Sequence, residues 1–297
     1  MISTYQSNLE NFYYWTQEKP NEIFLKQPIG DDFIDFTYQE AENHVNKLAA
    51  FLQEKVQSEP KHVGIMAKNS AYWILADLAI SSAACISVPF YATLTSEQLN
   101  EVLVHSDCQV LIVGKLDHWD SIKSGIPANV LIIHTPESEG KDSIQWNDIL
   151  KQEFPAFQPH KPQQNELSTI VYTSGTTGSP KGVMISNSSV TQAINLARKI
   201  AHLDTPNARF ISYLPLCHIA ERNIVEFASW LAKAIIIIPG LIFGIQLWWL
   251  YFFTLATSLT LIWASNKKLL PTLINECLKS SLKLLFLIFN INFKMLL

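Results

Sequence analysis

Between residues 33 and 134 the chain alternates short apolar, β-branched runs with capped helical patterns, and that alternation restricts the possible fold more than any other feature. In Thr37-Tyr38-Gln39-Glu40 a hydroxyl and a carboxylate stand three apart, the spacing at which the two side chains cap each other's backbone amides at a helix start. In the helix that should follow, Ala41, Val45, Leu48, Ala49 and Leu52 share one face, while Glu40, Glu42, Lys47, Glu54 and Lys55 fall mainly on the other. Residues 62–67 read as a short buried strand, 71–82 as a mostly apolar helix and 85–89 as a further strand. A second capping pattern, Thr95-Ser96-Glu97-Gln98, opens a helix to about His105, and residues 109–113 and 129–134 are again strand-like. Strands apolar enough to be covered on both faces, separated by helices, predict an α/β fold with a largely parallel sheet. The polar, proline-bearing stretch 155–165 predicts a loop or subdomain boundary, and no internal repeat is present.

A length of 297 residues accommodates one large domain or two modest ones, with a core that closes without disulfides. The four cysteines, Cys85, Cys108, Cys217 and Cys277, form no C-x-x-C pair and lie mostly in apolar runs, which predicts a reduced, cytoplasmic setting and no structural metal. The first twenty residues carry Glu10 and Glu18 among polar side chains and have neither the basic nor the apolar region of a secretory signal. The net charge of −4 is unevenly spread, because 25 of the 26 acidic residues precede Lys233. Through residue 232 the chain is strongly acidic and has no basic stripe, which argues against a nucleic-acid partner.

The densest chemistry lies in residues 168–183, where a β-branched strand runs into Thr173, Ser174, Gly175, Thr176, Thr177, Gly178, Ser179, Pro180, Lys181 and Gly182. Glycines let a backbone approach closely and turn its amides into one concavity, an arrangement that holds anions. The hydroxyls of Thr173, Ser174, Thr176 and Thr177 add uncharged donors, and Lys181 supplies a countercharge for phosphate. The bland alternative is a mobile Ser/Thr/Gly surface loop. A Walker-type loop is disfavoured, since the spacing from Gly178 to Lys181 is wrong and Gly182 stands where a magnesium-binding hydroxyl would be.

Read as YTSGTTGSPKGV, residues 172–183 resemble the phosphate-loop motif of the adenylate-forming superfamily, which includes acyl-CoA synthetases, luciferases and amino-acid adenylation domains. The resemblance implies that Thr173, Ser174, Gly175, Thr176, Thr177, Gly178 and Lys181 hold the phosphates of ATP. A carboxylate then attacks the α-phosphate, with Mg2+ assisting, and CoA afterwards displaces AMP. A second run, residues 213–222 (YLPLCHIAER), is similar to a segment of the long-chain fatty acid:CoA ligases and places His218 at the acyl side as the candidate catalytic residue. A lone histidine is more often structural, and Glu221 with Arg222 could equally form a structural ion pair. Lys68-Asn69-Ser70 with Trp73, Ser87-Val88-Pro89 with Tyr91, and Thr93-Leu94-Thr95 also resemble that branch, as sheet and packing positions. The resemblance runs from about residue 23 to residue 233. It implies an amino-terminal lobe of the adenylate-forming fold, with fatty acid, ATP and CoA as partners, and an aryl or amino-acid adenylating enzyme as the alternative.

From Lys233 onward the charged residues are six lysines and Glu276, and apolar runs such as Ile235-Ile236-Ile237-Ile238 and Trp248-Trp249 dominate. We therefore divide the chain into an AMP-binding part, 1–232, and a hydrophobic tail, 233–297, that lacks the family's later magnesium, ribose and lysine motifs. This expectation makes the lobe incomplete and turnover by this polypeptide impaired. The uncharged run 234–264 is long enough for a membrane span. It fits better an out-of-frame, AT-rich coding stretch, the favoured account. A non-catalytic membrane-associated protein with a weak nucleotide or acyl site is the reading from a different class.

Overall fold

The structure, a computed structural model, describes residues 7–29, 32–173, 180–193, 209–212, 214–222 and 235–237. The predicted alternation is present and its order is that of an open α/β sheet. Helix α1 (Asn8–Glu18) leads into a hairpin of β1 (Ile23–Ile29) and β2 (Asp32–Thr37), followed by α2 (Tyr38–Lys55). Then come β3 (His62–Met66), α3 (Ala71–Ser82), β4 (Ile86–Phe90), α4 (Ser96–Ser106), β5 (Val110–Val113), α5 (Trp119–Ile122), β6 (Leu131–His134), β7 (Ile144–Gln145) and α6 (Trp146–Leu150). The long strand β8 (Leu167–Thr173) and β9 (Lys181–Ser186) form a second hairpin, and β10 (Arg209–Ile211) and β11 (Ile235–Ile237) complete the described strands.

Both capping patterns read from the sequence form. The Thr37 side chain accepts from Glu40 N while the Glu40 carboxylate accepts from Thr37 N, and Thr95 with Gln98 does the same at the start of α4. The same device, Ser7 with Glu10, starts α1, a helix the sequence reading did not anticipate. Residues 155–165 contain no helix or strand, as expected of the polar connector.

Seven strands form the main sheet in the order β7-β6-β5-β3-β4-β8-β9. All neighbours are parallel except β8 and β9. Alternate residues of a strand face opposite ways, and β5 shows why its run is apolar throughout. Val110 and Ile112 enter the core shared with α2, α3 and α6, whereas Leu111 and Val113 enter the core shared with α4 and α5. Strand β9 ends the order, and its Val183 and Met184 are exposed.

A second sheet has the order β10-β11-β1-β2. Strand β11 lies between β10 and β1 and is parallel to both, with Ile236 opposite Leu25 on one side and Phe210 on the other. Residues 235–237 fall beyond the boundary at 232 drawn from the sequence, at the head of the stretch read there as tail, and they pair with strand residues from both ends of the acidic part. Among the described residues no helix is long and apolar enough to cross a membrane. Apart from Ile235–Ile237, the run 234–264 lies outside the described residues, as does the rest of the tail.

Candidate functional site

The parallel strands end on one edge of the main sheet, and the chain returns to that edge repeatedly. Strand β3 delivers Lys68 and Asn69 there, β4 delivers Tyr91, β5 delivers Gly114, and β8 delivers Thr173. In open α/β sheets this carboxyl edge, near the point where connections diverge to either side, is where ligands bind. Here β4 and β5 lie on opposite sides of β3.

Thr173 is the last residue of β8 and Lys181 the first of β9, and the two are opposite each other in register. The phosphate-loop run is thus the connection of a hairpin whose mouth is on the carboxyl edge. Ser174, Gly175, Thr176, Thr177 and Gly178 lie outside the described residues. Lys181 is exposed, and among the described residues no carboxylate pairs with it, so its charge is available to an anion. Just inside the mouth, the Tyr172 hydroxyl shares a 2.7 Å hydrogen bond with Nδ1 of His105 from α4. Burial pushes the Tyr172 hydroxyl up to about 12, so it stays protonated at neutral pH.

Gly182 serves packing here. A Cβ at this position would lie 2.8 Å from Ile170 Cγ2 and 3.3 Å from the Tyr172 ring. Its lack of a side chain lets two β8 residues lie across β9, a cross-strand role that is separate from holding phosphate.

His218 stands in a tight turn: its amide donates to Pro215 O at 2.9 Å, and its carbonyl accepts from Glu221 N at 3.1 Å. It is half-buried, and burial lowers its pKa, keeping the imidazole neutral near pH 7. A short helical turn, Ile219–Glu221, follows. Arg222 is fully buried and its guanidinium reaches back to α3 and β8. Its Nη2 donates to Asp77 Oδ2 of α3 at 2.7 Å, its Nη1 donates to Thr169 Oγ1 of β8 at 2.8 Å, and the guanidinium lies 5.4 Å from the Trp73 ring centre. Thr169 Oγ1 in turn donates to Ser87 O of β4. The segment bearing His218 is therefore tied to β8 four residues before Thr173, a separation of about 13 Å along a strand. The sequence did hold a sign of this: Asp77 is the lone charge in an otherwise apolar helix, where a buried carboxylate needs a partner.

Asn69, read from the sequence as a packing position, has a more specific place. It bonds to three groups of residues 212–216 and holds that segment on the carboxyl edge. Among the described residues no three His, Cys, Asp or Glu side chains gather as metal ligands. A cavity of about 490 Å³ lined by Glu10 and residues 161–165 precedes β8, at the edge opposite Thr173, and is no part of this site.

Solved structures of enzymes that form acyl or aryl adenylates share this α/β fold. An anthranilate CoA ligase in complex with anthranoyl-AMP superposes with a TM-score of 0.67 at 19% identity, over 80% of this chain and 46% of that one. A fatty acyl-adenylate ligase from L. pneumophila, in complex with acyl adenylate and pyrophosphate, gives 0.63 at 21% identity, over 80% and 40%. Residues 12–251 match the family described as AMP-binding enzyme, and the chain belongs to that family. Fatty acyl-CoA synthetase A of Dictyostelium discoideum is 27% identical over 223 residues, 71% of this chain and 33% of the relative. Long chain acyl-CoA synthetase 4 of Arabidopsis thaliana is 31% identical over 209 residues, 64% and 31%. The chain thus spans about a third of the length of these curated relatives.

Proposed function

We propose that the chain binds the polyphosphate of ATP at the β8–β9 hairpin and takes part there in activating a fatty acid, as an AMP-forming acid:CoA ligase with CoA as the acyl acceptor. One observation carries the reading: the hairpin sets Thr173 opposite an exposed Lys181, without a carboxylate partner among the described residues, on the carboxyl edge of the parallel sheet. A lysine there can stabilise charge on departing pyrophosphate without first breaking an ion pair. Ser174, Gly175, Thr176, Thr177 and Gly178 complete the proposed grip on phosphate, and His218, neutral through burial, is the proposed acyl-side residue. The names of the relatives support a fatty acid over an aryl or amino acid. The proposed compartment is the cytoplasm, and membrane association through the part of 234–264 beyond β11 is tested by flotation. Magnesium would be held chiefly by the phosphates of ATP.

Titration of the purified chain with a fluorescent ATP analogue tests the phosphate grip. Lys181→Ala combined with Thr176→Ala should weaken binding at least tenfold, a loss of about 1.4 kcal/mol or more. Unchanged affinity would remove the assignment. We also propose that the 297-residue polypeptide by itself turns over poorly, because from Lys233 on it offers a single carboxylate, Glu276, for a metal ion. Robust acyl-CoA formation from ATP, magnesium, fatty acid and CoA would overturn this second point alone.

A further inference from the structure

The segment that carries His218 is fastened at its start to Asn69, just ahead of α3, and at its end to α3 itself. At its start, Asn69 spends both kinds of its amide's hydrogen-bonding groups on it. Oδ1 accepts from Leu216 N at 2.9 Å, and Nδ2 donates to Ser212 Oγ at 2.9 Å and to Leu214 O at 2.6 Å. A carboxamide offers two donors and one oxygen, so a single side chain grips three groups that lie more than 140 residues away in sequence.

The platform under Asn69 is itself fixed. Ser70, the next residue, caps α3 by accepting from Trp73 N at 3.1 Å, and Lys68 N, the residue before, donates to Lys115 O at 3.0 Å beyond β5. At its far end the segment is held by Arg222 on Asp77 of the same α3. Between the two anchors Leu216 and Cys217 are buried, while His218 is half-buried and so faces a surface. The backbone that carries the imidazole is therefore held by Asn69 before its own turn and by Arg222 after it.

We infer that Asn69 is a positioning residue for the acid substrate: through Ser212, Leu214 and Leu216 it holds His218 where the acyl chain enters, and it takes no part in holding ATP. The inference rests on the acyl-side reading of His218 above. Each bond in this grip is an ordinary hydrogen bond, so losing one should move binding by about threefold and losing the whole grip by about a factor of ten.

The test uses the whole chain, a fluorescent long-chain fatty acid and a fluorescent ATP analogue, with Asn69→Ala, Ser212→Ala, His218→Ala and the double variant Asn69→Ala/His218→Ala. Asn69→Ala should weaken fatty-acid binding about tenfold and leave ATP affinity within about twofold. In the His218→Ala background it should add little, since both changes remove one contact to the acyl chain. Additive losses, or equal losses for both ligands, would show that Asn69 only stabilises the fold and would overturn the inference. If Asn69→Ala fails to fold, Ser212→Ala removes a single bond of the grip. A selective fatty-acid loss of about threefold is then expected, and none would equally overturn the inference. A normal fatty-acid affinity in His218→Ala would instead sink the acyl-side reading, and the inference with it, while a loss there without one in Asn69→Ala would sink the inference alone.

Discussion

Arg222 and Asp77 are charged side chains shut away from water, and their pairing shows what a single residue can cost this fold. Transferring an ion into a protein interior is repaid only when its partners meet it in good geometry, and here the guanidinium has a carboxylate, a hydroxyl and an aromatic face. Arg222→Ala would strand Asp77 unpaired and should cost about 3–5 kcal/mol in urea denaturation. Removing both charges with Asp77→Leu and Arg222→Met should recover most of that loss, because the uncompensated ion is what penalises the single change. A cost under about 1 kcal/mol for Arg222→Ala would mean that the buried pair does not form. Gly182 makes a subtler case at the same scale. An added Cβ meets Ile170 at 2.8 Å, too close for an ordinary contact, and Gly182→Ala should destabilise by about 1–3 kcal/mol through overpacking. Because the crowding is toward β8 side chains, ATP affinity in the folded fraction should stay near that of the parent. A selective loss of ATP binding at full stability would return Gly182 to the phosphate grip.

Elements whose signals are local were legible in the sequence, and elements made by distant pairing were not. Helix α2 announced itself through Thr37, Glu40 and a single apolar face, and α3 ran over the residues expected of it. Strands β3 to β6 were visible as short, mostly apolar runs, as a parallel sheet covered on both faces demands. The β1 strand, Ile-Phe-Leu-Lys-Gln-Pro-Ile, has no such pattern: Phe24 and Leu25 are buried side by side, and Gln27 is buried by bonding to Ala71 N and Glu137. Its parallel partner β11 lies more than two hundred residues away, beyond the reach of any periodicity. At the site, the order of residues pointed to the hairpin, yet the grips of Asn69 and Arg222 on the His218 segment needed the fold to be seen. The caps provide a check at this scale. Thr37→Ala removes the acceptor for Glu40 N and should lower stability by about 1 kcal/mol, with Thr37→Ser nearly neutral. Equal losses for both would show that the Thr37 methyl matters and the cap does not.

For the whole molecule, the question is where the first compact unit ends. Charge and composition draw a line at Lys233, after which a net −9 gives way to +5. The family match continues to residue 251, and β11 sits past that line as an inner strand of the second sheet. Without residues 235–237, β10 would lose its neighbour in that order and β1 would expose a row of backbone donors and acceptors. An open edge of this kind invites pairing with another chain. Residues 1–240 form a compact unit, so the two positions make opposite predictions about where the chain can be shortened. A polypeptide ending after Gly240 should keep the unfolding free energy of this unit, whereas one ending after Ala232 should lose on the order of 2–4 kcal/mol, several ladder hydrogen bonds' worth. It should also self-associate through the bared β1 edge, seen as concentration-dependent sedimentation. Equal stability of the two shortened chains would place the limit of this unit at the change in charge, and would leave the paired isoleucines as an accessory that the second sheet can lose.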